Sequence, residues 1–446
     1  MNQKSIYQQF WRYAVPTVAA MLVNGLYQVV DGIFIGQYMG GDGLAGINVA
    51  WPVISVILGL GMMIGVGTGA LASIKQGESD LAGAKQALAT GLMALLALSP
   101  MVAVVLWQYA DKMILIQGAQ GRMYDLAMQY LDILIVGGVF TLGSIAVPFL
   151  LRNDDSPNMA TILMVLGAVI NIVLDYWFIA ILDWELTGAA LATAIAQAVV
   201  TVLGVGYFFT SKAKMRLSLG DFKFQWPLLP KIFSIGAASF FMYAYGSFMV
   251  ALHNALFAQY GSMTLVGAYA ILGYIVAFYY LIAEGIANAM QPLLSYNYGA
   301  RREDNMRKLF NVAMFSSVLG GAVFVGLLNL FPYQAVSVFN SSEPQLIEYT
   351  VVGIRLHLFS MFLDGFIVVA AAYYQAISHN RKALFVTLGN MLIQLPFLYA
   401  MPKLWGVNGV WIAYPLSNIA LSLVVGVMMW RDIRKLRANG YETATA

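Results

Sequence analysis

The chain has no cysteine, only three histidines and few charged residues. Of its 446 residues, 10% are charged and 60% are hydrophobic. Without cysteine it has no disulfide and no cysteine-based metal or redox site. His253, His357 and His379 are too few and too scattered for a convincing metal cluster. A soluble domain carries about 25% charged residues, so this composition indicates a membrane protein.

Two kinds of sequence motif are also missing. There is no GxxxxGK[ST] phosphate-binding pattern, so we do not expect ATP to drive the protein. There is no nucleophile–base motif either, and we expect a protein that is not an enzyme and has no cofactor. The net charge of +3 is small, and the basic residues lie in loops between apolar runs. We therefore expect no nucleic-acid partner.

Twelve long apolar runs follow one another along the chain. They are too long and too non-alternating for barrel strands, so we predict an all-α integral membrane protein. The run nearest the N-terminus lacks a small-residue cleavage site and is interpreted as a span. The predicted spans are 13–38, 46–73, 86–108, 124–151, 157–181, 186–210, 231–260, 265–296, 308–330, 345–377, 383–402 and 406–430.

The basic residues predict the orientation of these spans. Twenty of the 24 Lys and Arg residues, from Lys4 to Arg437, lie in the terminal segments and the even-numbered loops. The odd-numbered loops hold only Lys112, Arg122 and Lys403. Because cytoplasmic loops are enriched in Lys and Arg, both termini are predicted to be cytoplasmic.

The chain is predicted to be an internal duplication. Gln76-Gly77 matches Tyr298-Gly299 at an offset of 222 residues, and Asn158 matches Asn380 at the same offset. Each half has six spans, so the halves share one orientation across the membrane. The predicted organisation is an N-terminal lobe (1–210), a cytoplasmic linker (211–230), a C-terminal lobe (231–430) and a cytoplasmic tail (431–446).

Polar side chains gather at one depth in the first half. Asp31 lies about 18 residues beyond Tyr13, which is roughly 27 Å along a helix. Asn171 and Asp175 are four residues apart and so share a helix face. With Thr193, these groups offer only oxygen ligands. They suit a hard cation, a proton shared between carboxylates, or separate helix–helix hydrogen bonds.

The second half lacks these ligands. His253, Ile393 and Tyr414 stand roughly where Asp31, Asn171 and Thr193 stand in the first half. The second half carries Glu284 and Asp364 instead, which either attract a cationic substrate or form structural ion pairs involving Arg355.

Pro16 removes one backbone hydrogen bond about four turns before Asp31. It is either a hinge for a conformational switch or a proline that the span simply tolerates.

The chain resembles the MATE (multidrug and toxic compound extrusion) family, in its DinF/MepA-like bacterial branch. The resemblance covers nearly all of the chain. The positions that carry it are Pro16 with the Tyr27…Asp31 face of span 1, Asn171-x3-Asp175, Thr193, and Gln291-Pro292…Ser295-Tyr296-Asn297-Tyr298-Gly299-Ala300 after span 8.

The resemblance implies two six-helix bundles facing each other in a V around a cavity. It implies export of cationic or amphipathic compounds against entry of Na+ or H+. In the family, positions matching Asp31, Asn171, Asp175 and Thr193 form a cation site, and a bend of the first helix at the position of Pro16 accompanies protonation. Tyr27, Glu284 and Asp364 are the candidate substrate or coupling residues. NorM-like members have an acid on span 7, where this chain has His253.

We therefore expect a monomeric, multi-pass exporter in a bacterial inner membrane, in contact with membrane lipids. An alternative is a lipid-linked glycan flippase of the same superfamily. Flippases tend to need cationic residues in the central cavity, and only Arg355 qualifies here. A third class, a receptor or scaffold, needs neither paired acids at one depth nor a duplication.

Overall fold

The computed structural model describes residues 5–444, and the side chains of all of these except Gly41 and residues 436–444. Lys4 and residues 445–446 lie outside the described residues, as does the side chain of Arg437. The described part of the chain is helical and contains no strand. It has 10 helices long and apolar enough to cross a membrane, or up to 12 if each of two bent helix pairs is one span. This agrees with the prediction of twelve.

Most of the observed spans are longer than the predicted apolar runs, because their helices continue beyond the apolar region; spans 5, 6 and 10 are not longer. We number them 1 to 12 as predicted. They are Ile6–Gly40, Asp42–Gly77, Leu81–Ile116, Gly121–Val136 with Gly138–Asn153, Pro157–Ile181, Glu185–Tyr207, Leu228–Tyr260, Met263–Gly299, Glu303–Leu330, Pro344–His357 with Phe362–Ala376, Asn380–Trp405 and Val407–Lys435. A short helix, Pro332–Ser337, follows span 9.

The turn between spans 1 and 2 is shorter than the sequence suggests. The sequence leaves residues 39–45 between the two runs, but the helical conformation is interrupted only at Gly40. Gly40 has φ 64° and ψ −153°, a conformation that glycine adopts without the steric penalty of a side chain.

Spans 4 and 10 are predicted as continuous runs, but each is bent. Span 4 bends by 66° at Gly137, and span 10 bends by 54° between His357 and Phe362. Gly137 and Gly138 are adjacent, and two neighbouring glycines lower helix stability at the bend in span 4. The bend in span 10 places Asp364 in the first turn of a new helix segment, where the helix dipole favours a carboxylate.

One compact unit comprises Trp11–Ala244 with Tyr298–Ala300. Its core is apolar and includes Ile57, Leu88, Leu131, Leu150 and Ile232. The glycines of span 2 allow close packing against span 4. A Cβ atom on Gly61 would lie 2.9 Å from the carbonyl oxygen of Leu142, and one on Gly65 would lie 2.7 Å from Cα of Ala146. These approaches leave no room for a side chain on either glycine.

Within the described residues, the second compact unit comprises residues 5–10, Tyr245–Asn297 and residues 301–444. Its core is richer in aromatic rings, with Phe257, Tyr279, Tyr373, Tyr374 and Trp411 all nearly inaccessible to solvent. The division between the two units falls within span 7. The lobe and linker boundaries proposed from the sequence stay predictions.

The segment after span 6 is docked on the first unit. Its Met215 and Leu217 side chains are buried, and the amide of Leu217 donates to the carbonyl of Phe208 at 2.8 Å. The rings of Phe209 and Phe222 stack with centroids 5.9 Å apart. The first part of the predicted linker, residues 211–222, is therefore ordered and packs against the helix ends. We call this segment the strap.

Asp154, in the loop after span 4, fastens this strap. It accepts hydrogen bonds from the amide of Lys214 at 3.0 Å and from the amide of Met215 at 2.6 Å. Its side chain is 1% exposed. Burial raises the pKa of Asp154 to about 6, although the two amides favour the ionised form.

Asp155 joins the strap to the start of span 1. Its carboxylate accepts from Nζ of Lys214 at 2.6 Å and from the hydroxyl of Tyr13 at 2.7 Å, and it forms an ion pair with Arg12 at 3.2 Å. Burial disfavours the charge of Asp155, but the bonds from Lys214 and Tyr13 outweigh it and lower the pKa.

Candidate functional site

A pair of carboxyl groups lies inside the first unit. Asp31 comes from span 1 and Asp175 from span 5, where the α-helical part Pro157–Asp175 ends. A π-helical turn, Tyr176–Ile181, follows directly. Such turns are rare and occur often at functional sites. The π turn is a feature that the apolar pattern of the sequence does not reveal.

Asn171 and Thr193 lie beside this pair, as the sequence predicts. Asn171 is 2% exposed and Thr193 is 8% exposed. In the amide orientation that satisfies both ends, the nitrogen of Asn171 donates to Oδ2 of Asp175 at 3.0 Å. The amide oxygen accepts from the hydroxyl of Thr193 at 3.1 Å. Spans 5 and 6 are thereby joined by a chain of hydrogen bonds that ends at the carboxylate.

The two carboxyl groups face each other within hydrogen-bonding range. Oδ1 of Asp31 and Oδ1 of Asp175 are buried and have no hydrogen-bond partner among the described residues. Two ionised carboxylates offer only acceptors and repel each other, so the pair needs a proton or a cation between them. The arrangement can therefore take up either one. The structure brings all four predicted ligands together.

Two tyrosines complete the surroundings. Tyr27, which the resemblance singles out, is half-buried one helical turn before Asp31. Tyr130 of span 4 is buried, and its hydroxyl lies near the side chain of Thr193. The sequence reasoning missed Tyr130. The available signal was its depth, since it lies about as far from the outer end of span 4 as Thr193 lies from that of span 6.

The second unit has a polar cluster of its own around Asp364. Its carboxylate accepts a hydrogen bond from the amide of Asn418. The hydroxyls of Tyr280 and Tyr414 are 2.8 Å apart and lie beside the same carboxyl group. Tyr414 is the counterpart of Thr193 in the duplication, so the two halves carry different polar clusters.

The ion-pair alternative for this half is not what the structure shows. Among the described residues, Glu284, Asp364 and Arg355 form no salt bridge; the salt bridges present are elsewhere. Glu284 is half-buried on span 8, whereas Arg355 is exposed on span 10. Among the side chains that the structure describes, no group of three or more His, Cys, Asp or Glu residues could hold a metal ion.

Pro16 does not interrupt span 1. The backbone is helical from Ile6 to the break at Gly40. The hydroxyl of Thr161, on span 5, donates to the carbonyl oxygen of Pro16 at 2.8 Å. Span 1 is thus fastened to the carboxylate-bearing span 5 next to the proline. The role of Pro16 as a switch stays a prediction.

Known proteins resemble this chain over nearly its whole length. Multidrug export protein MepA of Staphylococcus aureus (strain MSSA476) is 25% identical over 430 residues, which is 95% of this chain and 94% of the relative. MepA of Staphylococcus saprophyticus subsp. saprophyticus is 24% identical over 428 residues, with the same two coverages.

Solved structures share the fold. The structure of the MATE multidrug transporter DinF-BH, determined as a complex, has a TM-score of 0.90 and 27% identity, covering 97% of both chains. A MOP superfamily transporter from Pyrococcus furiosus, described as having a binding pocket of reverse polarity that suggests a different function, has a TM-score of 0.91 and 25% identity, again over 97% of both chains.

A family model locates the resemblance within the chain. The MatE model matches residues 16–177 and 238–400. The two segments begin 222 residues apart, which is the offset that the sequence predicts for the internal duplication. Because the matched segments make up more than half of the chain, one in each half, the protein is a multi-pass membrane protein of the MatE family.

Proposed function

We propose that this chain is a secondary active multidrug exporter. It moves cationic or amphipathic compounds out of the cell against inward movement of Na+ or H+. The observation that carries this proposal is the facing pair Asp31 and Asp175, whose buried Oδ1 atoms have no partner among the described residues. A buried intramembrane acid is costly, so such groups usually mark an ion or substrate path.

The relatives support the export half of the proposal. MepA is named a multidrug export protein, and DinF-BH is described as a multidrug transporter. We infer the same class of activity here, in a bacterial cytoplasmic membrane, with both termini cytoplasmic and the protein acting as a monomer. Members of this family are transporters, so we expect no enzymatic activity.

The coupling step follows from the chemistry of the pair. A proton or Na+ that enters between Asp31 and Asp175 offsets their repulsion, and Asn171 supplies a neutral oxygen or an N–H as required. Na+ suits the all-oxygen ligand set as a hard cation, and a proton suits two carboxyls at hydrogen-bonding range. Release of the ion restores the repulsion and makes the pair available for the next cycle.

The charges of the chain favour an exporter over a glycan flippase. Asp31, Asp175, Glu284 and Asp364 form no salt bridge among the described residues. Buried and half-buried carboxylates without basic partners attract cations and repel the pyrophosphate of a lipid-linked glycan.

Transport in proteoliposomes tests the proposal. The protein is reconstituted with a fluorescent cationic dye, and Na+ and proton gradients are imposed separately. Wild-type protein is expected to move the dye faster under at least one gradient. Asp31→Asn, reconstituted in equal amount, is expected to lose that acceleration because the neutral amide removes the charge at little steric cost. Asp42→Asn, an exposed carboxyl at the start of span 2, is the control and is expected to behave as wild type. Dye movement that ignores both gradients, or full coupling in Asp31→Asn, would contradict the proposal.

A further inference from the structure

One exposed side of span 12 carries an apolar strip that is followed by basic residues. Leu423, Val424 and Val427 are exposed on this face at 67%, 50% and 51%. Arg431 and Lys435 continue the same face toward the end of the helix. Together with neighbouring side chains they line a groove of about 600 Å³. Exposed apolar residues on a membrane span are covered by lipid chains, so the strip lies where acyl chains run.

The other wall of the groove is Lys382, at the start of span 11. Its position is fixed by Asp432. Oδ2 of Asp432 accepts from Nζ of Lys382 at 2.6 Å and from the hydroxyl of Tyr374 at 2.7 Å. The ammonium group of Lys382 also lies 5.4 Å from the centre of the Tyr374 ring. This arrangement holds one cation beside span 12 and uses the only acidic side chain among the described residues of the groove to do so.

The groove is left with a positive charge. Its lining contains Lys382, Arg431 and Lys435 against Asp432 alone. Within the described residues, neither Arg431 nor Lys435 forms a salt bridge. The adjacent Trp430 is 60% exposed, as expected for an aromatic side chain at the membrane–water boundary.

The distance between the apolar strip and the basic residues suits the acyl chains and the headgroup of a single lipid. Leu423 and Arg431 are eight residues apart, which is about 12 Å along a helix. The basic ends therefore stand at the boundary while the apolar strip lies within the hydrocarbon layer. Basic pockets between membrane helices bind anionic lipid headgroups through charge, and the exposed apolar strip gives the attached chains a surface to cover.

We propose that this groove binds an anionic phospholipid. Its phosphate lies among Lys382, Arg431 and Lys435, and its acyl chains run along Leu423, Val424 and Val427. The site lies wholly within the second compact unit, and it does not depend on the proposed ion-coupled export.

Lipid titration in detergent tests this proposal. Purified full-length protein is titrated with phosphatidylglycerol or phosphatidylcholine, and bound lipid is counted by native mass spectrometry. Wild-type protein is expected to prefer phosphatidylglycerol. The double variant Arg431→Gln/Lys435→Gln is expected to bind phosphatidylglycerol about thirtyfold more weakly, since each basic residue near the surface contributes about fivefold. Phosphatidylcholine binding is expected to change little.

Matched variants separate this site from general charge effects. Arg216→Gln/Lys223→Gln removes the same charge from exposed positions of the linker segment and is expected to keep wild-type affinity. Val427→Asn leaves the charge intact and is expected to weaken phosphatidylglycerol binding several-fold through lost apolar contact. The exchanged variant Arg431→Lys/Lys435→Arg keeps both charges and is expected to retain binding.

Soluble competitors distinguish a lipid from a free phosphate ion. Inorganic phosphate and glycerol phosphate lack acyl chains and are expected not to displace phosphatidylglycerol at concentrations a hundredfold higher. Displacement by either competitor would overturn the lipid assignment in favour of a phosphate site. Equal affinities for the two lipids in wild type, or equal losses in the linker control and the groove variant, would also overturn it.

Discussion

At the scale of single residues, Asp31 and Asp175 share one environment. Their carboxyl groups face each other, and their Oδ1 atoms are buried without partners among the described residues. Groups this close titrate as a pair, and the protons or cations they take up belong to both. We therefore expect the loss of either carboxyl to remove the function that we propose for the pair.

This sharing predicts strong non-additivity. Asp31→Asn and Asp175→Asn are each expected to slow gradient-driven transport severely, and the double variant is expected to be slower than the worse single variant by no more than about twofold. Initial transport rates in proteoliposomes measure this. As a control, Asp132→Asn, an exposed carboxyl on span 4, is expected to combine multiplicatively with Asp31→Asn. Multiplicative losses for the Asp31 and Asp175 pair would show independent roles.

A different prediction concerns Glu284 and Asp364. We expect these two carboxyl groups to favour cationic over neutral substrates. Neither forms a salt bridge among the described residues. A carboxylate of this kind offsets the desolvation of a cation. Glu284→Gln or Asp364→Asn is expected to reduce export of cationic compounds about tenfold more than export of neutral ones, equivalent to roughly 1.4 kcal/mol. Paired export assays measure the ratio, with the exposed Glu348→Gln as control. An equal loss for both compound classes would indicate a structural or coupling role.

At the scale of helices, Pro16 lies where span 1 is fastened to span 5. The hydroxyl of Thr161 donates to its carbonyl oxygen, and the helix continues through the proline without a break in this structure. The missing N–H of Pro16 weakens one turn and gives the helix a place to bend.

Pro16→Ala restores that backbone donor and is expected to favour the straight helix. Substrate binding, followed with a fluorescent compound, is expected to stay within a few-fold of wild type while turnover falls, because alternating access needs both states populated. Pro52→Ala, another proline inside a helical span, is the control and is expected to turn over normally. Unchanged turnover in Pro16→Ala would leave the proline a packing feature only.

The strap after span 6 predicts a pH dependence at the same scale. The pKa of Asp154 is about 6 in the docked strap, raised by burial from an ordinary value of 3.8. The docked state therefore binds more protons than the undocked state between about pH 4 and pH 6. Docking weakens as the pH rises through this window, by at most about 3 kcal/mol at 1.36 kcal/mol per pKa unit.

Hydrogen exchange of the amides of Lys214 and Met215 measures this docking. After correction for the intrinsic rate, their protection is expected to fall from pH 4 to pH 6 in wild type and to stay level in Asp154→Asn. The pKa of Asp155 is lowered, so its contribution is constant above about pH 4. Asp155→Asn is therefore expected to lower protection evenly while keeping the slope. A level profile in wild type would contradict the prediction.

At the scale of the whole molecule, an even number of spans places both termini on one side. The distribution of Lys and Arg predicts that this side is cytoplasmic. Because the chain has no cysteine, single introduced thiols can test it cleanly. Gly220→Cys marks the predicted cytoplasmic linker and Ser341→Cys the opposite side, both at exposed positions. A membrane-impermeant thiol reagent applied to intact cells is expected to label Ser341→Cys alone, and lysed cells are expected to show both. Labelling of Gly220→Cys in intact cells would reverse the topology.

The sequence by itself determined the class of the protein, the number of spans and four of the residues at the carboxyl pair. These features are local. An apolar run of membrane length is visible without knowing its neighbours, and Asn171 and Asp175 share a face because of helix geometry alone. Asp31 and Thr193 could be predicted from their depth in the membrane, because the number of residues from the end of the span determines that depth.

Only the tertiary structure decided the rest, because those features depend on contacts between distant segments. The proximity of Tyr130 on span 4 to Thr193 on span 6 depends on how these helices pack, and the burial of Met215 comes from docking against helix ends. The bends in spans 4 and 10 occur inside continuous apolar runs, where the apolar pattern does not indicate a change in the direction of the helix axis. Whether a carboxyl has a hydrogen-bond partner likewise depends on all of the residues around it, and no local sequence pattern contains that information.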